Sequence, residues 1–187
     1  MIRRRSPIRT RLVAIGYGVF YLIPHRWRSR LVRLVWHKYV VGAVVLVFDS
    51  EAPEGMDRLL VLRQPPGRGW TLPAGLLERG ETPIAGACRE AAEETGIVFA
   101  PEDLTPAVPN AMVHTKGKWV DMVFTARVPA STTALSVDGA EVWEAAWYPV
   151  DELPRLTPAT ARLLGHYGIG AAGWGDGGRD ERRSEVS

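Results

Sequence analysis

The chain has 187 residues, 46% of them apolar, with seven tryptophans and one cysteine, Cys88. That suffices for one packed domain with extensions, and it excludes an internal disulfide or a thiolate metal cluster. The net charge of +2 hides two unlike parts: residues 1–38 carry ten Arg or Lys and no acid, while the remainder carries thirteen basic against 21 acidic residues. The chain therefore reads as a basic arm (1–38), an acidic domain (39–167) and a Gly- and charge-rich tail (168–187) that is expected to be disordered. The lack of disulfides fits a reducing cytoplasm.

The arm begins with a charged stretch and an apolar run from Leu12 to Ile23. That outline is similar to a signal peptide, but the run ends in Pro24-His25-Arg26 without a small-residue cleavage site. It is also shorter than the ~20 residues that a membrane-spanning helix takes. Ile8, Leu12, Ile15, Val19 and Leu22 recur at helical spacing, and Trp27, Leu31, Leu34 and Val35 mark a second apolar face opposite Arg26, Arg30 and Arg33. Two short amphipathic basic helices are expected. They could pack on the domain or on a partner subunit of a homodimer. They could instead lie on an anionic membrane surface at the inner face. A nucleic-acid partner ranks last, because no reading motif accompanies the charge.

Tyr39–Asp49 is a β-branched apolar run and predicts a buried strand. Ser50–Asp57 reads as a loop, and Arg58–Arg63 as the return strand of a hairpin. Gln64–Gly69 is turn-rich. Thr82 suits an N-cap, Pro83 a first helical position and Gly96 the position past the end, which predicts a helix over Pro83–Glu94. At about 100° per residue, Ile84, Ala87, Cys88 and Ala91 share one arc, the expected buried face. Glu90, Glu93 and Glu94 share another, with Arg89 placed off it. Carboxylates at such spacing repel unless a cation sits among them, and hard oxygen ligands suit Mg²⁺ or Mn²⁺. Further on, a short turn at Pro101–Asp103, strands at Ala107–His114, Trp119–Val128 and Trp143–Val150, and a last helix capped by Thr157 and running to about Tyr167 are expected.

The run from Gly75 to Ile97 resembles the Nudix box of the Nudix hydrolases. Gly75, Glu81, Arg89, Glu90, Glu93, Glu94, Gly96 and Ile97 stand as the family writes them, and Ala91 is smaller than the usual bulky aliphatic residue. Pro73-Ala74-Gly75 before the box and Trp147 followed by Asp151-Glu152-Leu153-Pro154 also look like the family. The resemblance implies an α+β fold, an α/β/α sandwich with a mixed sheet between helices. It implies a metal-dependent pyrophosphohydrolase that cleaves a nucleoside diphosphate linked to another moiety; the alternative is a Nudix-fold binding or regulatory module without turnover. Glu90, Glu93 and Glu94 would then be metal ligands, with the Ala74 carbonyl as a further one. Arg89 would brace Glu81, and Gly75 and Gly96 would be conformational. Glu90, Glu93 and Glu141 are the candidate catalytic carboxylates, with Glu141, ahead of Glu144, chosen as general base. Arg68, Trp70, Lys116 and Lys118 are candidate substrate contacts, joined by His114 and Trp119, for which a structural role weighs at least as heavily. Nothing selects among ADP-ribose, dinucleoside polyphosphates, nucleotide sugars and nucleoside triphosphates.

Overall fold

The structure, a computed structural model, describes residues 38–114 and 117–170, together with Leu22, Pro24 and Trp27. The two helices expected in the arm, Lys116 and the tail beyond Gly170 therefore lie outside the described residues.

β1 (Val40–Asp49) is the central strand of a seven-stranded sheet. It runs parallel to β6 (Trp119–Val128) along its full length. It runs antiparallel to β2 (Arg58–Arg63), meeting it at Phe48 and Leu59, and to β4 (Ala74–Leu76), where Gly42, Ala43 and Val44 face Leu76, Gly75 and Ala74. β2 also pairs with β3 (Trp70–Thr71) and with β7 (Glu144–Pro149), and β5 (Thr105–His114) pairs with β6. A strand with partners on both edges and layers on both faces must be apolar on both faces, which is why β1 shows no polar alternation. β5 begins two residues earlier than expected and carries Pro106 and Pro109. Prolines are tolerated there because β5 is at the edge, and the register shifts between Pro106 and Ala111.

Successive β1 side chains point to opposite layers. Ala43, Val45 and Val47 pack with Ala87 and Ala91 of α1 (Pro83–Thr95). Val44 and Leu46 pack with Leu163 and Leu164 of α2 (Pro158–His166). The result is a mixed sheet between two helices, the α/β/α sandwich expected. Both helix starts follow the sequence signals. Thr82 Oγ1 accepts from the Ala85 N–H at 3.4 Å and Thr157 Oγ1 from the Thr160 N–H at 3.3 Å, each with proline next in line.

Gly168 and Ile169 close α2. Gly168 has φ +71°, its N–H donates to the Gly165 carbonyl at 3.1 Å, and the Ile169 N–H donates to the Leu164 carbonyl at 2.9 Å. These two bonds form a Schellman cap, and Ile169 packs on the core beneath it. Read only as glycine-rich composition, Gly168 hides this function of closing α2.

Asp49, at the end of β1, is 2% exposed. Its Oδ1 accepts from the Glu51 and Ala130 N–H groups at 2.9 and 3.0 Å, and its Oδ2 from Arg58 at 3.2 Å. Burial alone would raise its pKa, but these donors outweigh it and hold the carboxyl below its ordinary value.

Candidate active site

α1 is one residue longer than expected and ends where Gly96 takes φ +76°, its N–H bonded to the Ala92 carbonyl at 3.0 Å. The helix lays its acidic residues against the Pro73-Ala74-Gly75 corner at different depths. Glu93 is largely exposed, with 59% of its side chain open to solvent, while Glu90 retains 13%. Glu94 is buried at 7%. A Cβ on Gly75 would overlap the Glu90 carboxylate, so this glycine leaves the space that the carboxylate fills. Glu94 Oε1 accepts from Gln64 Nε2 at 2.5 Å and Oε2 from the Ala74 N–H at 2.9 Å.

Arg89 is not off the carboxylate face. Its Nε and Nη2 clamp Glu81 at 3.0 and 3.1 Å, its Nη1 reaches Glu90 at 2.8 Å and Glu93 at 3.0 Å, and its Nη2 also donates to the Leu76 carbonyl at 3.1 Å. Glu93, four residues on, is its neighbour on the helix surface, and the long guanidinium side chain also reaches Glu90 and, before the helix, Glu81. The cation expected among the carboxylates is thus supplied in part by the chain itself. The Arg89 bonds, followed by the Glu78 N–H, hold the Glu81 carboxyl below its ordinary value. The bonds to Glu81, Glu90 and Glu93 raise Arg89 above its own.

Arg89 does not reach Glu94. Burial, then the charges of Glu90 and Glu141, push the Glu94 carboxyl up to about 7 against the pull of Ala74 and Gln64. Burial also raises Glu90, with Glu93 and Glu81 adding to it and Arg89 opposing it. No three acidic or imidazole groups converge on one point among the described residues. The donor set nevertheless fits a divalent cation. It consists of hard carboxylate oxygens, two of them in Glu94 with a single hydrogen bond each. Cys88 packs against the apolar cluster beneath α1 as a small core residue, and burial raises its thiol.

Glu141 is exposed, in the loop before β7. Asp138 Oδ1 accepts from the N–H groups of Ala140, Glu141 and Val142 at 3.0 to 3.1 Å and fixes the loop, with Val142 buried as its anchor. Glu144 faces Arg63 at 3.7 Å instead. The candidate substrate contacts divide. Arg68 and Trp70 share a cleft of about 320 Å³ with Arg63 and Arg155. The Trp70 ring meets Tyr148 edge-on, 5.3 Å between centroids. Lys118 stands exposed on the β5–β6 turn with φ +56° and lies outside that cleft. Trp119 and His114 stack at 4.5 Å, and Trp119 lines a second cavity of about 360 Å³ with Gly42, Gly75 and Asp121.

Three residues of this site escape a reading of the sequence. Gln64 holds Glu94 from the end of β2, and Gly42 keeps open the space beside Gly75 and Asp121. Asp121 lines both the 360 Å³ cavity and a neighbouring one of about 210 Å³. Its signal was an acid inside the apolar run Trp119–Phe124, a position that needs a partner.

A mixed sheet between two helices, with a glutamate-rich helix packed on a Pro-Ala-Gly corner, is the Nudix arrangement. A sequence model of the NUDIX domain matches residues 38–167, and the chain belongs to the Nudix hydrolase family. It is 37% identical over 134 residues to human 8-oxo-dGDP phosphatase NUDT18, an alignment covering 69% of this chain and 38% of that protein. It is 35% identical over 117 residues to a MutT-like protein of Streptomyces ambofaciens, covering 63% of this chain and 67% of that one. Among solved structures it is similar to a MutT NUDIX hydrolase from Burkholderia pseudomallei, with a TM-score of 0.53 and 25% identity over 68% of this chain and 97% of that one. Among the described residues no helix is long and apolar enough to cross a membrane.

Proposed function

We propose that the chain is a divalent-metal-dependent hydrolase that cleaves a nucleoside diphosphate derivative at a phosphoric anhydride bond. The observation that carries this reading is the corner where Glu90 fills the space left by Gly75 and Glu94 grips the Ala74 N–H. Glu90 and Glu94 would hold Mg²⁺ or Mn²⁺, with Glu93 and the Ala74 carbonyl as further ligands. Such a cation supplies screening of the substrate's phosphates and a more acidic water. Water attacks phosphorus in line with the departing oxygen, and Glu141 takes its proton. Arg89 orients Glu90 and Glu93 from one side, while its clamp on Glu81 ties the helix to the preceding loop. Arg68 and Trp70 are assigned to the substrate's outer part, with Lys118 as a charge on the rim.

The human relative's name makes 8-oxo-dGDP the first substrate to assay, beside ADP-ribose, dinucleoside polyphosphates, nucleotide sugars and nucleoside triphosphates. The test is hydrolysis of this panel in Mg²⁺ and in EDTA, with products identified to locate the broken bond. Turnover of at least one nucleoside diphosphate derivative in Mg²⁺, lost in EDTA, is expected. Saturable binding of nucleotides without turnover of any would overturn the hydrolase.

A further inference from the structure

The carboxylate of Asp121 is half spoken for. Oδ2 accepts from His114 Nε2 at 2.8 Å and from Trp119 Nε1 at 3.3 Å. Two ring nitrogens thus engage both lone pairs of Oδ2. Oδ1 has no hydrogen-bond partner among the described residues, although every buried side-chain polar atom among them has one. Oδ1 therefore opens to solvent with two acceptor positions free. Its surroundings are built rather than incidental. His114 and Trp119 stack on each other and are cross-strand partners on β5 and β6, so the carboxylate is pinned by a rigid pair. Gly42 lies opposite Asp121 on β1, and a Cβ there would stand 3.3 Å from Oδ1 and 3.0 Å from the Gly75 carbonyl oxygen.

The free oxygen belongs to the same neighbourhood as the carboxylate corner. Ala74 lines both cavities that Asp121 lines, and the Ala74 N–H holds Glu94. A nucleotide whose phosphates lie at Glu90 and Glu94 would have its uncharged end within those cavities. The larger, about 360 Å³, has the size of a small-molecule site. An acceptor-only carboxylate repels phosphate and selects hydrogen-bond donors. Guanine presents a ring N–H and an exocyclic amine side by side. Adenine and cytosine present an amine beside a bare ring nitrogen, which would face the carboxylate as a second acceptor. Thymine and uracil present one ring N–H between two carbonyls. Of these bases, guanine is the one that sets two donors before the free oxygen with no acceptor between them.

We infer that Asp121, held by His114 and Trp119, is a specificity-determining residue that reads the donor edge of a guanine-type base. The inference rests on the nucleotide-hydrolase reading and names its base. The experiment is equilibrium binding of GMP and AMP in Mg²⁺, neither of which contains an anhydride to cleave, with turnover of GDP and ADP measured in parallel. Binding about tenfold or more tighter for GMP is expected, with the preference lost in Asp121→Asn. Should that variant fail to fold, Gly42→Ala keeps the carboxylate and its two partners but places a methyl before Oδ1, and it should lose the same preference. Equal binding of GMP and AMP, binding of neither, or a preference unchanged in a folded variant would overturn the inference. Guanine-selective binding without turnover would leave Asp121 standing and remove the hydrolase; turnover of GDP and ADP without base preference in binding or rate would do the reverse.

Discussion

Asp49, at the end of β1, and Glu94, in the last turn of α1, are both buried acids, and they are treated in opposite ways. Asp49 receives two backbone N–H groups and a guanidinium, and its carboxyl is held low. Glu94 receives one backbone N–H and one amide, faces Glu90 and Glu141, and is driven up to about 7. A carboxylate buried to support the fold is given its donors. One buried with its charge unmatched leaves room for a cation to complete it.

The largest effect should come from removing that unmatched charge. Glu94→Gln is expected to lower Mg²⁺-dependent turnover about a thousandfold while the fold, followed by circular dichroism, is kept. Near-parental activity would end the assignment of Glu94 as a ligand.

Asp49→Ala should act on stability alone. Denaturant unfolding is expected to show a loss of about 3 kcal/mol, since several donors lose their acceptor at once. The rate per folded molecule should stay within twofold, roughly, as nothing ties Asp49 to the chemistry.

The two acids also set opposite pH dependences. Glu94 has a folded pKa above its ordinary value, so its contribution favours the fold below about pH 4.5 and is lost as pH rises through about 7. In EDTA that should remove up to ~3 kcal/mol between those limits. Asp49 has a folded pKa below its ordinary value, so its contribution is present above about pH 4 and disappears as pH falls through the lowered pKa. Thermal midpoints in EDTA should therefore decline on both sides of a mildly acidic optimum. The alkaline decline should flatten in Glu94→Gln and the acidic one in Asp49→Asn.

Arg89→Lys should give the smallest change. An ammonium cannot hold Glu81 with two parallel bonds and still reach Glu90 and Glu93. A loss of about tenfold in kcat, with KM little altered, is expected because the ligands would be less well oriented. An unchanged kcat would show that Glu90 and Glu93 need no such orientation.

What could be read from the sequence was local. The Thr82 and Thr157 caps, the β-branched runs and the box spacing each act within a few residues. What escaped depends on pairings between distant strands. Asp121 matters because β6 lies parallel to β1 and brings it opposite Gly42, about eighty residues earlier in the chain. Gln64 matters because β2 ends beside the helix terminus where Glu94 sits. Arg89 stands four residues before Glu93, which a wheel already makes neighbours; what a wheel does not record is the reach of the guanidinium to Glu90 and to Glu81. The two-residue β3 and three-residue β4 carry too little pattern to be seen, and they form where β2 and β1 offer free edges.

The contrast between the two acids can be measured directly by Mn²⁺ binding, followed by electron paramagnetic resonance, to the parent, Glu94→Gln and Asp49→Asn without nucleotide. The parent and Asp49→Asn should bind alike, and Glu94→Gln about tenfold or more weakly. Equal affinity in all three would contradict this, and the unmatched charge at Glu94 would then have no cation to explain it.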